Sequence, residues 1–396
     1  MNPAPAPVDP AALGRTLAPF GHSVGLPGAA YTSAEVYAWE QRHLYEGSWV
    51  CTGRSSEIPS GGGQRAVRVG QEGVLLVRDH DGTLRGFSNV CCHRGHELLA
   101  PDTATQRRVV QCPYHAWTYG LDGRLRAVPR FGRVPGFTCE VYGLGPTCMA
   151  EWNGFVFVNA MGDAPDLAEH TGDLDRHVEG YGLADLVPAA SLLYEIEANW
   201  KFVHEGYHEC YHCPQIHPQF CPRSSPWSGE NHVARAGLWS GGSMEVADGS
   251  ETMSYTGARG APYLPGLDAR RRREVSYLGL LPNLLVSGHP DYVMTHRIVP
   301  RAPDRTWIEC QFLFPADVVA TPGFDPGYAA DFWDATNRQD WAACESMQRG
   351  AASRGFVPGP LSEHESALYD FVIIIVTSYL EGAVRALARR REPALV

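Results

Sequence analysis

The sequence predicts an α+β protein with two domains: an all-β N-terminal domain, followed by a C-terminal antiparallel sheet with helices. A chain of 396 residues is too long for one ordinary hydrophobic core. From about residue 45 to 160, short β-rich runs alternate with turn residues. Farther along, alternating strands precede two helical patterns, an order that favours helices segregated to one side of a sheet.

The first domain is predicted from apolar runs rich in residues that favour strands. Turn pairs such as Asp81-Gly82 and Asp122-Gly123 separate runs of this kind. The predicted strands cover residues 49–52, 74–77, 108–111 and 155–159.

The second domain is expected after a polar, acidic, helix-like link at residues 166–185. Two helical patterns close the chain, and the last ends in three arginines, where a helix C-terminus carries negative partial charge. The predicted strands cover residues 192–198, 274–281, 292–299 and 306–314, and the three arginines are residues 389–391.

The composition is that of a packed protein that works in water. Apolar residues make up 44% of the chain and charged residues 19%, which excludes the disordered and membrane classes. The net charge of −11 would repel a phosphate backbone, so no nucleic acid is expected as a partner. The most apolar stretch, residues 371–376, is far shorter than the roughly 20 residues of a membrane span.

Cysteine usage predicts the compartment. The chain has eleven cysteines, an odd number, and its start lacks the charged and apolar regions of a signal peptide. Reduced thiols and metal ligands are therefore expected rather than a disulfide framework, which indicates a cytoplasmic protein.

The first candidate metal site lies on two short segments that each supply one thiolate and one imidazole. Cys91 and His93 are followed, after eighteen residues, by Cys112 and His115. This interleaved order does not fit a zinc finger, although a zinc site from the same residues is the alternative. It fits a Rieske [2Fe-2S] cluster, with the cysteines on one iron and the histidines on the other. Cys92 is expected to be a spare buried thiol.

A second candidate metal site lies in residues 199–218, which contain four histidines and two glutamates. A mononuclear Fe(II) site needs two imidazoles, one carboxylate and open positions. His212 and His217 are five residues apart, and Pro218 biases the backbone of His217 away from a helix. This pair suits the end of a helix that turns back toward a metal.

A rival pairing is open on spacing alone. His204, His208 and His212 recur every four residues and would share one face of a helix. Either set of histidines could therefore hold the metal.

The carboxylate is expected from the helix predicted over residues 331–350. Asp340 falls on its largely buried face, because Trp333, Asn337 and Cys344 share that face at helical spacing. A lone buried carboxylate is costly unless it is paired or bound to metal. Asp340 is thus either the third ligand or half of a buried ion pair.

These motifs resemble the α-subunits of Rieske non-heme iron oxygenases, which include ring-hydroxylating dioxygenases and demethylating monooxygenases. The similar segments are CxHRG from Cys91, CPYHAWTY from Cys112, and the run at residues 199–218, in that order. The resemblance extends from about residue 40 to 380.

The resemblance implies a domain organisation. Residues 45–165 would form the Rieske domain, and residues 166–396 a catalytic domain with a helix-grip (START-like) fold around mononuclear iron. Residues 1–44 would be an N-terminal arm and helix that pack on the catalytic domain.

The resemblance also selects the ligands. It implies His212, His217 and Asp340 as iron ligands, and leaves the other two histidines of the run to structural or supporting roles. In the family, an acidic residue at the position of Glu209 bridges two subunits, which here means His115 of one subunit and His212 of the next. A homotrimer is therefore expected.

The glutamate at this position, the YHCP run and the segments HPDYVMTH and FWDATNRQDW resemble a narrower branch. That branch oxidises glycine betaine, stachydrine, carnitine and choline. The chain has no G-x-G-x-x-G or P-loop motif, so NAD(P)H is expected to act only through a partner. The family implies a flavin and iron–sulfur reductase, with or without a ferredoxin.

The expected activity is O₂-dependent monooxygenation of a small substrate, above all N-demethylation of a quaternary ammonium or N-methyl compound. Hydroxylation of an N-methyl group yields a hemiaminal, which releases formaldehyde. The alternatives are hydroxylation of an aromatic or aliphatic carbon, oxygenation of an amine nitrogen, or an electron carrier or redox sensor without catalysis. Aromatic residues available to bind a cation are Trp227, Trp239, Tyr255, Tyr263 and Tyr292.

Overall fold

The computed structural model describes residues 4–382 and contains two compact units. One unit combines the segment up to Glu40 with the chain from Pro165 onward, and the other runs from Gln41 to Ala164. We call them the α+β unit and the β unit. The chain thus starts in the α+β unit, leaves it to form the β unit, and then returns.

The β unit contains two antiparallel sheets. The larger has the strand order β1-β10-β9-β4-β3-β2-β5 and the smaller β6-β7-β8. A π-helix, Gln41–Glu46, opens the unit, and short 3₁₀ turns lie at Ser55–Glu57 and Cys139–Val141. The strands are β1 Val50–Arg54, β2 Gly63–Val69, β3 Glu72–Arg78, β4 Leu84–Ser88, β5 Ala104–Gln106, β6 Val110–Gln111, β7 Thr118–Tyr119, β8 Leu125–Ala127, β9 Pro146–Trp152 and β10 Phe155–Asn159.

One apolar cluster joins the two sheets of the β unit. It includes Leu75 and Phe87 from the larger sheet and Tyr119 from the smaller one. Cys91 and Cys112 belong to the same cluster and are almost fully buried. The core therefore fixes the bases of both loops that carry the first ligand set.

The α+β unit is built on a seven-stranded antiparallel sheet with the order β11-β17-β16-β15-β14-β13-β12. In its central part Tyr277 lies opposite Ser287, and Ser287 lies opposite Met294. The strands are β11 Leu186–Ile196, β12 Glu230–Asn231, β13 Trp239–Glu245, β14 Glu274–Leu280, β15 Leu284–Gly288, β16 Val293–Ala302 and β17 Arg305–Pro315.

Helices of the α+β unit pack on this sheet: α6 contacts β16, α9 contacts β11 and α10 contacts β13. None of the helices within residues 4–382 is both long and apolar enough to cross a membrane. The helices are α1 Pro10–Thr16, α2 Ala29–Thr32, α3 Ala34–Glu40, α4 Leu167–Thr171, α5 Asp175–Val178, α6 Trp200–Tyr207, α7 Cys213–Ile216, α8 Ala316–Val319, α9 Gly327–Ala351 and α10 Ser366–Glu381.

A buried charge pair ties the N-terminal segment to the rest of the α+β unit. Nζ of Lys201 lies 2.6 Å from Oε1 of Glu40, and neither side chain is exposed. Trp200 Nε1 donates to the same carboxylate at 2.9 Å, and the Tyr379 hydroxyl donates to it as well. Burial lowers the pKa of Lys201, but the Glu40 carboxylate opposes this shift. Helices α3, α6 and α10 therefore meet at one carboxylate.

The predicted α+β fold is confirmed, with local differences. The expected strand at residues 108–111 shrinks to Val110–Gln111, and the predicted helical link at residues 166–185 is broken into short pieces. Gly172 and Gly182 adopt positive φ angles of 56° and 63° at the ends of these pieces, which stops each helix. The predicted basic end of the last helix, at Arg389 to Arg391, lies outside the described residues. The domain boundaries predicted from the sequence stay a prediction.

Candidate metal centres and an adjoining cavity

The first set of candidate ligands lies on two loops of the β unit that share one backbone conformation. In one loop, the Cys91 carbonyl accepts a hydrogen bond from Gly95 N–H, and Cys91 N–H donates to the His96 carbonyl. The corresponding bonds form around Cys112, whose carbonyl accepts from Ala116 N–H. Gly95 and Ala116 both have positive φ angles, 73° and 59°. The two loops thus present cysteine and histidine in matching ways.

These loops bring the four predicted cluster ligands together. The thiols of Cys91 and Cys112 are within hydrogen-bonding reach of each other, and the ring centroids of His93 and His115 are 4.7 Å apart. Nδ1 of His93 is buried and has no hydrogen-bond partner among residues 4–382. Two thiols, two imidazoles and an unpartnered ring nitrogen fit a [2Fe-2S] cluster of the Rieske type. That assignment of ligands stays a prediction.

Neighbouring aromatic side chains hold these ligands in place. The ring of Trp117 stacks on His93 with an interplanar angle of 3°. The Tyr119 hydroxyl lies 3.2 Å from Sγ of Cys91. Burial raises the pKa of the Cys91 thiol, and the contact with Tyr119 opposes that shift. A hydroxyl at this position can also stabilise a thiolate bound to iron, since hydrogen bonds to cluster sulfurs tune the potential.

The second set of candidate ligands comes from the loop between α6 and α7 and from α9. His212 immediately precedes α7, and His217 immediately follows it. Nε2 of His217 lies 2.9 Å from Oδ1 of Asp340, and Nε2 of His212 lies 3.4 Å from the same oxygen. About a quarter of the Asp340 side chain is exposed, on the wall of a cavity.

This geometry fits a mononuclear metal. Two donor atoms that each lie roughly 2.0 to 2.2 Å from one ion, at right angles to each other, are about 3 Å apart. The two distances to Asp340 are close to that value. Two imidazoles and one carboxylate also match the donor set of a non-heme Fe(II) site with open positions.

Two further side chains orient the imidazoles. Nδ1 of His212 lies 2.5 Å from Oε1 of Glu209, and Nδ1 of His217 lies 2.8 Å from Oε1 of Gln339. Each Nδ1 can therefore donate its proton away from the site, which leaves both Nε2 atoms facing Asp340. Gln339 had no recognisable signal in the sequence.

In the absence of metal, the two carboxylates keep a proton on the imidazole of His212. Burial alone would lower the pKa of His212, but hydrogen bonds to Asp340 and Glu209 raise it to about 10. Burial would raise the pKa of Asp340, but hydrogen bonds from His212 and His217 lower it. A metal ion would take the place of these protons.

The rival histidines are occupied elsewhere. His208 Nδ1 contacts the His204 carbonyl at 2.6 Å, and its Nε2 lies 2.9 Å from Ser240 Oγ. His204 Nε2 lies 3.0 Å from the Pro282 carbonyl. Burial lowers the pKa of both imidazoles, so they pack as neutral side chains. The geometry therefore favours His212 with His217 as the ligand pair.

One expectation about cysteines is wrong, and a second has an exception. Cys92 is exposed, and its thiol donates to the Gly143 carbonyl, because the buried Cys91 beside it turns the next side chain outward. Cys210 and Cys213 form a disulfide, since their C-x-x-C spacing brings the Cα atoms within 4.9 Å. Sγ of Cys213 is close to both candidate iron-binding imidazoles, but its bond to Cys210 leaves Asp340 as the available anion.

Comparisons with known proteins identify two domain families in the chain. The Rieske [2Fe-2S] domain matches residues 48–138, and the ring hydroxylating alpha subunit (catalytic domain) matches residues 183–381. The glycine betaine monooxygenase oxygenase subunit of Chromohalobacter salexigens is 30% identical over 385 residues, covering 88% of this chain and 84% of the relative. The chain belongs to the Rieske oxygenase α-subunit family. This oxygenase is the oxygenase subunit of a Rieske non-heme iron monooxygenase.

Other relatives of the oxygenase act on similar molecules. Choline monooxygenase of Arabidopsis thaliana is 24% identical over 364 residues, covering 87% of this chain and 80% of the relative. The crystal structure of a quaternary ammonium Rieske monooxygenase in complex with L-carnitine matches with a TM-score of 0.74 and 25% identity. That match covers 90% of the oxygenase and 96% of the solved chain.

A cavity of about 320 Å³ adjoins the candidate iron ligands of the oxygenase. His212, His217, Asp340 and Glu209 form part of its wall, between the sheet and helices α6, α7 and α9. A cavity of this size suits a small organic molecule. Its aromatic lining consists of Tyr207, Phe220, Trp227, Tyr277, Trp333 and Trp341.

Apart from the candidate metal-binding imidazoles, the charged side chains in the wall of this cavity are all acidic. The carboxylates in the wall belong to Glu209, Glu230, Asp340 and Glu363. Among the described residues that line the cavity there is no lysine and no arginine. The wall of the oxygenase cavity therefore offers anions and aromatic faces, both of which attract a cation.

The sequence anticipated one of these aromatic residues. Trp227 lines the cavity, whereas Trp239, Tyr255, Tyr263 and Tyr292 are not among its lining residues. Trp333 and Tyr277 were missed as substrate-contacting candidates. The signals were present, because Trp333 lies two helical turns before Asp340 on the same face of α9, and Tyr277 lies within a predicted strand.

Proposed function

We propose that this oxygenase removes an N-methyl group from a small organic cation by O₂-dependent monooxygenation. The observation that carries the proposal is the cavity, which places aromatic faces and carboxylates beside the candidate iron ligands. A cation over an aromatic face gains roughly 0.5 to 2 kcal/mol. Relatives named for glycine betaine and choline, both quaternary ammonium compounds, support the same substrate class.

The residues divide into two metal-binding sets in this proposal. Cys91, His93, Cys112 and His115 would hold a Rieske [2Fe-2S] cluster, and His212, His217 and Asp340 would hold mononuclear Fe(II). When bound, these groups supply single electrons and activate O₂.

The chain's own side chains bind and orient the substrate. Trp333 presents a fixed face, because its Nε1 donates to the Tyr292 hydroxyl at 2.7 Å, and that hydroxyl donates in turn to the Met253 carbonyl at 2.8 Å. The aromatic wall excludes water and directs an N-methyl group toward Asp340. A hydroxylated N-methyl group is a hemiaminal, which releases formaldehyde and leaves the demethylated amine.

Glu209 has a linking role in this proposal. Its Oε1 accepts the Nδ1 proton of His212, and its Oε2 accepts the backbone N–H groups of Tyr211 and His212. We place His115 of a neighbouring subunit on the same carboxylate, within a homotrimer. Electrons enter from a partner reductase, for which a flavin and iron–sulfur protein that oxidises NAD(P)H is the proposed class.

The test is a substrate screen with a surrogate reductase. Oxygenase loaded with both metals is given NADH, O₂ and a panel of N-methylated cations, and formaldehyde and residual NADH are measured. We expect formaldehyde in proportion to substrate consumed with at least one cation, and none with Asp340→Ala. Formaldehyde from no cation, together with hydroxylation of a neutral aromatic compound, would refute the proposal.

A further inference from the structure

The wall of the cavity carries polar atoms that no other described residue satisfies. Within residues 4–382, Oη of Tyr277, Nδ1 of His296 and Nε1 of Trp341 are buried and have no hydrogen-bond partner. All three residues line the cavity. Buried donors and acceptors are nearly always paired in folded proteins, so several unpaired ones in one wall point to a ligand.

Strand register places two of these residues on one face of the sheet, with strand β15 between them. Tyr277 lies opposite Ser287, which lies opposite Met294, and His296 follows Met294 by two residues. Facing residues share one side of a sheet and side chains alternate along a strand, so Tyr277 and His296 share the face toward the cavity.

His296 also connects this face to the candidate iron site. Its Nε2 lies 3.3 Å from Oδ1 of Asn337 on α9, which is one helical turn before Asp340. A group bound at Nδ1 of His296 would therefore lie in the part of the cavity next to Asp340.

The unpaired groups are uncharged. Burial raises the pKa of Tyr277 and lowers that of His296 to about 4, so a neutral phenol and a neutral imidazole are present near pH 7. The lining within residues 4–382 contains neither lysine nor arginine. Apart from the proposed iron and its ligands, no cationic side chain of this lining would face a substrate carboxylate, which makes its burial unfavourable, whereas a hydroxyl or carbonyl group would be satisfied.

We infer that Tyr277 and His296 bind an uncharged polar group of the substrate. The oxygenase then prefers an N-methylated cation that carries a hydroxyl or carbonyl group over one that carries a carboxylate. This inference rests on the proposed function and narrows it. It separates the oxygenase from relatives named for glycine betaine and carnitine, both of which are carboxylates.

Binding without turnover tests the inference. Titration calorimetry on the metal-loaded oxygenase, with no reductase, compares choline, tetramethylammonium and glycine betaine, which differ in carrying a hydroxyl, no polar group and a carboxylate. We expect choline to bind about tenfold more tightly than either of the others. Tyr277→Phe should weaken the binding of choline by about tenfold, which corresponds to the loss of one hydrogen bond, and leave the affinity for tetramethylammonium unchanged.

Tyr207→Phe is the matched control. Tyr207 also lines the cavity, but its hydroxyl is already paired with Ser287 Oγ at 2.9 Å, so the ratio of choline to tetramethylammonium affinities should not change. His296→Gln provides a second variant, with the same expected loss of that ratio, if Tyr277→Phe does not fold.

The possible results distinguish a failure of the inference about Tyr277 and His296 from a failure of the proposed function. If none of the three cations binds, the inference is wrong, and the proposed function fails as well only if the formaldehyde screen finds no N-methylated substrate. If glycine betaine binds more tightly than choline, or if Tyr277→Phe and Tyr207→Phe change the ratio equally, the inference alone is wrong.

Discussion

Oδ1 of Asp340 lies 2.9 Å from Nε2 of His217, although 123 positions separate the two residues in the chain. Helix α9 supplies the carboxylate and the end of α7 supplies the imidazole, so this meeting requires the folded α+β unit. The four proposed cluster ligands, by contrast, lie within residues 91–115 of the β unit. The two proposed metal sites therefore depend on different parts of the fold.

We predict two separable iron pools, namely one cluster with acid-labile sulfide and one mononuclear iron per chain. Cys112→Ser should abolish the visible spectrum of the cluster and leave mononuclear iron in place, because no ligand of the second site is changed. His212→Ala or Asp340→Ala should do the reverse. Iron and sulfide analysis of the purified variants measures both pools.

His208→Ala is the control for this prediction, because both ring nitrogens of His208 are engaged in structural contacts. It should keep its mononuclear iron. Loss of iron in His208→Ala but not in Asp340→Ala, or zinc without sulfide in the parent protein, would contradict the ligand assignment.

Glu209→Gln should separate electron supply from metal binding. The amide keeps the size of the side chain and one acceptor oxygen, but it loses the negative charge that strengthens the hydrogen bond to His212. Both metals should stay bound and a reductase should still reduce the cluster, while product formation falls by orders of magnitude. Metal content, cluster reduction and product are measured on one sample, and turnover equal to the parent would remove Glu209 from the proposed link.

The proposed link between subunits predicts a ring. If Glu209 of one subunit contacts His115 of the next, the contact is head-to-tail, and repeated rotation closes it. We expect a C₃ trimer in sedimentation at working concentrations. A monomer that turns over at the full rate would contradict this arrangement.

The matching loops of the β unit predict opposite effects of two small substitutions. A methyl group at Gly95 would meet no atom within 4 Å, so the cost of Gly95→Ala is conformational, about 1 to 2 kcal/mol for a left-handed residue. Ala116→Gly should relieve a similar strain. The temperature at which the cluster loses its colour should fall by several degrees in the first variant and rise in the second. Equal shifts in the same direction would contradict the argument.

His170 predicts a loss of stability in acid. Burial lowers its pKa from 6.5 to about 4, although a hydrogen bond to the Leu281 carbonyl opposes the shift. The folded protein resists protonation of His170, whereas the unfolded chain does not. The contribution of the neutral imidazole to the free energy of unfolding is therefore complete above about pH 6.5 and is lost as the pH falls toward 4. At pH 5 the loss is about 2 kcal/mol. His170→Gln keeps a donor for Leu281, and its urea midpoint should fall less between pH 8 and pH 5 than that of the parent.

Glu205 provides a control of opposite sign. Burial raises its pKa from 4.5 to about 7, while the Tyr31 hydroxyl, which donates to it at 2.7 Å, opposes the shift. The contribution of the protonated Glu205 to the free energy of unfolding is therefore complete below about pH 4.5 and is lost as the pH rises through 7. Glu205→Gln should flatten the alkaline side of the stability profile. A change on the acid side would mean that the charge assignment is wrong.

Local motifs were predictable and long-range assembly was not. Each cluster loop carries its cysteine and histidine within four residues, and helical spacing placed Asp340 on a buried face. The cavity residues Tyr277 and His296 lie on separate strands, and only the register of three strands brings them to one face. The Cys210–Cys213 disulfide had a local signal in its C-x-x-C spacing, but cysteine count outweighed it.

The carboxylate of Glu40 has a consequence for the order of events during synthesis. Its hydrogen-bond partner Tyr379 is synthesised after the whole β unit, which is complete at Ala164. Domains generally fold as they leave the ribosome, in N-terminal to C-terminal order. The loops that carry the proposed cluster ligands can therefore form before Tyr379, a buried partner of Glu40, has been made.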